Sequence, residues 1–216
     1  ASIPNAGGID IAAISFWGAE ASIWLSILIP LLSLAAVAMA FMCCGKGSWM
    51  EFTRILKLPG RLPSDFCDLE GPGGALLNAG FLGLGYSAFI ALIGAPFNGP
   101  VIGGLMTILG FAFFGKHVKN VLPVFIGLAI AALVFGKGFT VPWVVLAFLF
   151  GTALAPLAGE FGPYIGICAG FLHLVIVERS GSWHGGMNLY NNGFAGGLTA
   201  TLFVSIIEWY RNNVQK

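Results

Sequence analysis

Charge is what this sequence has least of. Asp, Glu, Lys and Arg make up only 9% of its 216 residues, against about 25% in an average soluble domain. A chain so poor in charge cannot clothe a water-facing surface. Its net charge of +1 also excludes a nucleic-acid binder or any other partner held by a strong field. Cysteine is thin, and Cys43, Cys44, Cys67 and Cys168 have no metal-ligand spacing. A Walker loop and a His-Glu-x-x-His pair are both missing. Gly83-Leu84-Gly85 lies inside an apolar run with no strand before it, so it is not a dinucleotide loop. No catalytic residue, metal or cofactor is assigned on these grounds.

What is present is apolar: 57% of the residues are hydrophobic, and 32 are glycine. Crossing a bilayer takes roughly 20 apolar residues as a helix. Backbone polar groups must pair within the segment there. The sequence therefore predicts an all-α fold, a polytopic transmembrane helical bundle of about seven membrane segments, forming one domain over residues 1–216 of a cell-membrane protein. The segments fall at 21–44, 74–95, 99–115, 121–135, 141–158, 161–177 and 193–210.

Seven crossings put Lys46, Arg54, Lys57, Arg61, Lys116, Lys119, Arg211 and Lys216 on one side, and only Lys137 and Arg179 on the other. Basic residues stay inside. The 45–73 loop and the C-terminus are thus expected in the cytoplasm and the N-terminus outside. Trp17, Trp24, Trp49, Trp143, Trp183, Trp209 and Tyr210 fall near segment ends, as an interfacial belt requires. Within the 45–73 loop, Trp49, Met50, Phe52, Ile55 and Leu56 recur at helical spacing among basic residues. That pattern predicts an amphipathic helix on the inner leaflet, ended by Pro59-Gly60.

Two segments echo each other. Asn78-Ala79-Gly80-Phe81-Leu82-Gly83 and Asn191-Asn192-Gly193-Phe194-Ala195-Gly196 both read Asn-x-Gly-Phe-x-Gly at the start of an apolar segment. Five crossings separate them, which places the copies on opposite faces, as in an inverted repeat. Breaks at 94–100 and 180–192 suggest broken or re-entrant helices whose open backbone and amides would line a wet cavity. The candidate solute site near the midplane is therefore Asn78, Asn98, His173, His184, Asn188, Asn191 and Asn192. His173 is included as the one ionisable residue well inside a segment.

Phe114-Gly115-Lys116-His117, Gly151-Thr152-Ala153-Leu154-Ala155-Pro156-Leu157 and the run from His184 to Leu198 resemble a family of prokaryotic multipass membrane proteins classed as a domain of unknown function. The likeness runs from about Gly45 onward. Members of that family look about twice as long, with a first half that echoes the second. The resemblance implies that this chain is a C-terminal half, which would account for the absent initial Met and the outside N-terminus. More distantly, the paired Asn-x-Gly segments look similar to urea transporters, channel-like proteins with inverted halves that form trimers. Of their Leu-Pro-x-x-x-x-Pro-Phe filter signature the chain carries only the fragment Ala95-Pro96-Phe97-Asn98.

Three functions are expected, in this order. The first is a channel or transporter for a small polar or neutral solute. The second is an assembly subunit whose glycine-rich segments pack on a partner. The third is a membrane enzyme acting on lipid, with Glu178, His184 and Asn188 as its only outside groups. The expected partners are the lipid bilayer, a small-molecule solute, and further copies of the chain or an upstream half.

Overall fold

The computed structural model describes residues 22–61, 65–184 and 188–214. The side chains of Ser182, His184, Asn188 and Leu189 lie outside that description, as does the segment containing Trp17. The described residues form ten α-helices: α1 (Ile23–Cys43), α2 (Ser48–Ile55), α3 (Phe66–Leu69), α4 (Pro72–Ile93), α5 (Gly99–Phe111), α6 (Val118–Val134), α7 (Pro142–Phe150), α8 (Ala155–Phe161), α9 (Pro163–Ser180) and α10 (Asn188–Asn213). Each expected membrane segment is one of these helices or, for 141–158, the pair α7 and α8.

Proline and glycine punctuate the chain as physics requires. Pro72, Pro142 and Pro163 each open a helix, where the missing N–H would have had no partner. The break at 94–100 is a compact helix-to-helix turn. Gly94 ends α4 in the left-handed conformation, with φ 73°. The Asn98 side chain then caps α5 by accepting from the Val101 N–H at 3.1 Å.

Among the described residues three stretches are long and apolar enough to cross a membrane: Ile23–Cys43, Pro72–Ile93 and Pro142–Phe161. Gly99–Phe111 and Val118–Val134 are shorter apolar helices. At about 1.5 Å per residue, the 13-residue α5 reaches about 20 Å, short of the roughly 30 Å hydrocarbon core. The third stretch is not one helix. A 3-10 turn, Gly151–Leu154, separates α7 from α8. Pro156 stands at the start of α8 and cannot donate back to Thr152. The sequence predicts one segment over 141–158, and this turn divides it.

The helices alternate in direction. At one end of the bundle Arg61 pairs with Glu160, Arg211 lies over the Phe161 ring and His117 bonds the Leu58 carbonyl. At the other, Lys137 of the α6–α7 turn pairs with Glu178 at 2.5 Å. The two Asn-x-Gly-Phe-x-Gly segments therefore begin at opposite ends of the bundle, as the crossing count required.

The amphipathic α2 forms, but α4 takes its apolar face. Phe52 and Ile55 are buried, and the Glu51 carboxylate accepts from the Gly74 N–H at 2.8 Å at the start of α4. Trp49 and Met50 remain exposed.

Rings hold the centre. Phe89, Phe125 and Phe148 meet with centroids 5.0 Å apart in each pairing. Backbones approach closely where glycine allows it. A Cβ on Gly127 would stand 2.0 Å from the Ile167 carbonyl oxygen, and one on Gly170 2.1 Å from that of Val124. That pair of clefts seats α9 on α6. Gly170→Ala should therefore force the two helices apart and lower stability by roughly 1–3 kcal/mol. Gly85→Ala, whose Cβ would meet open space in the interior of α4, should not lower it and should raise it by up to about 1 kcal/mol. Thermal unfolding in detergent checks both; equal effects would contradict the packing.

Candidate functional site

The site grows from two pieces of irregular backbone. The first is the connection between α5 and α6. Gly115, at φ +92°, turns the chain there. The Asn78 side chain of α4 fixes the connection, its Nδ2 donating to the carbonyls of Ala112 at 2.7 Å and Lys116 at 2.8 Å. His117 and Asn120 close a reciprocal cap on α6: Asn120 N–H donates to His117 Nδ1 at 3.2 Å, and His117 N–H to Asn120 Oδ1 at 2.8 Å. With Nδ1 accepting, Nε2 is the donor, and it reaches the Leu58 carbonyl at 2.8 Å. Burial, offset in part by that bond, holds the imidazole down at about 4. His117 is thus a buried cap of α6.

The second piece is the α7–α8 break. Thr152 donates to the Leu149 carbonyl at 2.7 Å and accepts from the Lys116 ammonium at 2.8 Å. Lys116 is only 3% exposed, with its nitrogen 4.9 Å from the centre of the Phe111 ring. Burial pushes it down to about 7, because a charge removed from water is disfavoured.

On the other flank, His173 of α9 and Asn192 of α10 meet, Nε2 to Oδ1, at 3.2 Å. Asn191 ties the start of α10 to the end of α9. Its Nδ2 donates to the Val177 carbonyl at 2.5 Å, and its Oδ1 faces the Ser180 hydroxyl.

Between these flanks lies a cavity of about 380 Å³, within the range typical of small-molecule sites. Lys116 and Asn192 are among its lining residues, with Thr107 the other polar side chain. Phe111, Phe114, Phe150, Leu154 and Pro156 form an apolar wall. The Gly193, Gly196, Gly197 and Ala200 face of α10 forms another wall of this half-open cavity. A second cavity of about 200 Å³ shares Ala153, Leu154, Pro156 and Ala200 with the first and is lined also by Arg61, Glu160 and Glu208.

Of the residues expected at the site, Asn192 lines the cavity and His173 holds it. Asn191 latches the two helices beside it. Asn78 is buried and does not line the cavity; it positions the Lys116 backbone. Asn98 caps a helix at the opposite end and does not line it either. The side chains of His184 and Asn188 lie outside the described residues. Glu178, the carboxylate of the lipid-enzyme reading, is engaged by Lys137.

Lys116 and Thr152 are the residues sequence reasoning missed, Lys116 having been counted only as a cytoplasmic charge. A signal was there. No Asp or Glu occurs between Glu70 and Glu160, so a lysine amid Phe111, Phe113 and Phe114 had no local counter-charge.

An all-helical bundle with membrane-spanning apolar helices and a cavity at a helix break defines the class: an integral membrane protein. The chain belongs to the family described as "Protein of unknown function (DUF1576)", whose model matches residues 45–209. No curated protein and no solved structure matches it, so the likeness to urea transporters rests on the motif alone.

The cavity lysine should be half protonated near neutral pH. Trace acetylation by acetic anhydride, read by mass spectrometry, should show Lys116 gaining reactivity as pH rises through about 7, since only the free amine reacts. A midpoint in the usual lysine range near 10.4 would contradict its burial.

Proposed function

We propose that the protein is a channel or transporter for a small polar solute, which occupies the cavity between Lys116 and Asn192. One observation carries the reading: the start of α10 and the α5–α6 connection bring polar side chains from opposite sides to one cavity beside a broken helix. Asn192 arrives with α10, and Asn78 of α4 holds the Lys116 backbone from the other side. Inverted, broken helices are how many transporters build a site away from bulk water. A solute there exchanges its hydration for fixed donors, here the Lys116 ammonium and the Asn192 amide. The adjoining cavity beside Arg61, Glu160 and Glu208 supplies an approach from the end of the bundle that carries α2. The excess of Lys and Arg at that end supports placing it in the cytoplasm.

A specific observation also favours the assembly-subunit reading. A Cβ on Gly193 or Gly197 would meet nothing within 4 Å, so this face of α10 has room for another helix. The two readings part in one experiment. Gly193→Phe should fill the cavity without a backbone clash. In proteoliposomes it should cut solute flux at least about tenfold while leaving thermal stability unchanged. No flux through the wild-type protein for any small amide, amine or ion, with a stable hetero-complex isolated from the native membrane, would favour the assembly role.

A further inference from the structure

We propose that the cavity takes a singly charged organic anion, its charged group against the Lys116 ammonium and a compact apolar body against Phe111, Phe150 and Leu154. The inference names the solute class of the conduit reading and rests on that reading for the solute's passage, but not for its binding.

The first argument is charge. Among the described residues Lys116 has no carboxylate partner; its hydrogen bond is to a neutral hydroxyl, Thr152, at 2.8 Å. The acids that flank it in sequence are committed elsewhere: Glu70 to Arg54 at 2.5 Å and Glu160 to Arg61 at 3.7 Å. An ammonium carries three donors, and Thr152 accepts one. Burying an unpaired charge is costly, and an anion in the cavity would relieve that cost. A single cation matches a single negative charge.

The second argument is shape. About 380 Å³ is far more than a simple inorganic ion needs, and most of the wall is aromatic or aliphatic. Such a wall rewards an apolar body. The same chemistry is found in a small aromatic or aliphatic carboxylate and in the head region of an anionic lipid, so the test separates these sources.

Equilibrium binding of radiolabelled benzoate to the purified full chain in neutral detergent is the measurement, at about pH 6, where most Lys116 is charged. The expected result is saturable binding, with benzamide, its neutral counterpart, competing at least about tenfold more weakly. Lys116→Gln should weaken binding by about tenfold or more, and Lys116→Arg, which keeps the charge, should restore most of it. Thermal unfolding confirms that both variants fold. Displacement of benzoate by added phosphatidylglycerol would support the anion site and identify lipid as its source. No saturable benzoate binding, equal competition by benzamide, or full binding by a folded Lys116→Gln protein would overturn the proposal. Binding without flux in proteoliposomes would leave the anion site standing and remove the conduit.

Discussion

The hydrogen bond from the Lys116 ammonium to the Thr152 hydroxyl joins two of the places where the helical backbone is interrupted, the α5–α6 connection and the α7–α8 turn. Helix interruptions within a bilayer must have their polar groups satisfied by protein or by enclosed water. Thr152 meets part of that demand by bonding the Leu149 carbonyl within its own turn. Lys116 then clamps the turn to the α5–α6 connection. That connection is held from a third direction by Asn78 and from a fourth by the Leu58–Gly60 segment, which sits so close to it that a Cβ on Gly60 would touch the Gly115 oxygen. The cavity exists because these irregular segments are braced around it.

Glycine divides the labour between its walls. In the first Asn-x-Gly-Phe-x-Gly copy, α1 covers the motif: a Cβ on Gly80 would meet Val37 and one on Gly83 would meet Ser33. In the second copy, a Cβ on Gly193 or Gly197 would face open space, and one on Gly196 would lie 3.9 Å from His173 Cε1. One motif thus serves helix packing at one end of the bundle and cavity lining toward the other. The α6–α9 pair, seated through Gly127 and Gly170, fixes where His173 stands, and His173 in turn holds Asn192.

The helical segments were legible because apolar runs of membrane length are bounded by proline, glycine and charge, as at Gly71-Pro72 and Gly162-Pro163. The opposite entry of the two asparagine motifs followed from counting those runs. The α7–α8 break was hidden, because Gly151–Leu154 lies in an uninterrupted apolar stretch and Pro156 alone did not announce a turn. Asn98 caps α5, and a cap and a pore amide look the same in sequence until the Val101 N–H is seen bonded to it. That Lys116 is buried was hidden for a different reason. Its burial comes from contacts 36 residues away at Thr152 and from the Leu58–Gly60 segment, and local pattern carries no record of contacts at that range.

The conduit reading requires that the Lys116 ammonium of the α5–α6 connection and the Asn192 amide of α10 share one water-accessible cavity. Substituted-cysteine accessibility tests it most directly, in a chain whose Cys43, Cys44, Cys67 and Cys168 are replaced by serine. Cysteines placed at Gly193 and Gly196 should react with a charged, membrane-impermeant methanethiosulfonate added from the Arg61 end, whereas one at Gly85, on no cavity wall, should be protected. Protection at Gly193 and Gly196 equal to that at Gly85 would mean the cavity is dry, and the account would fail.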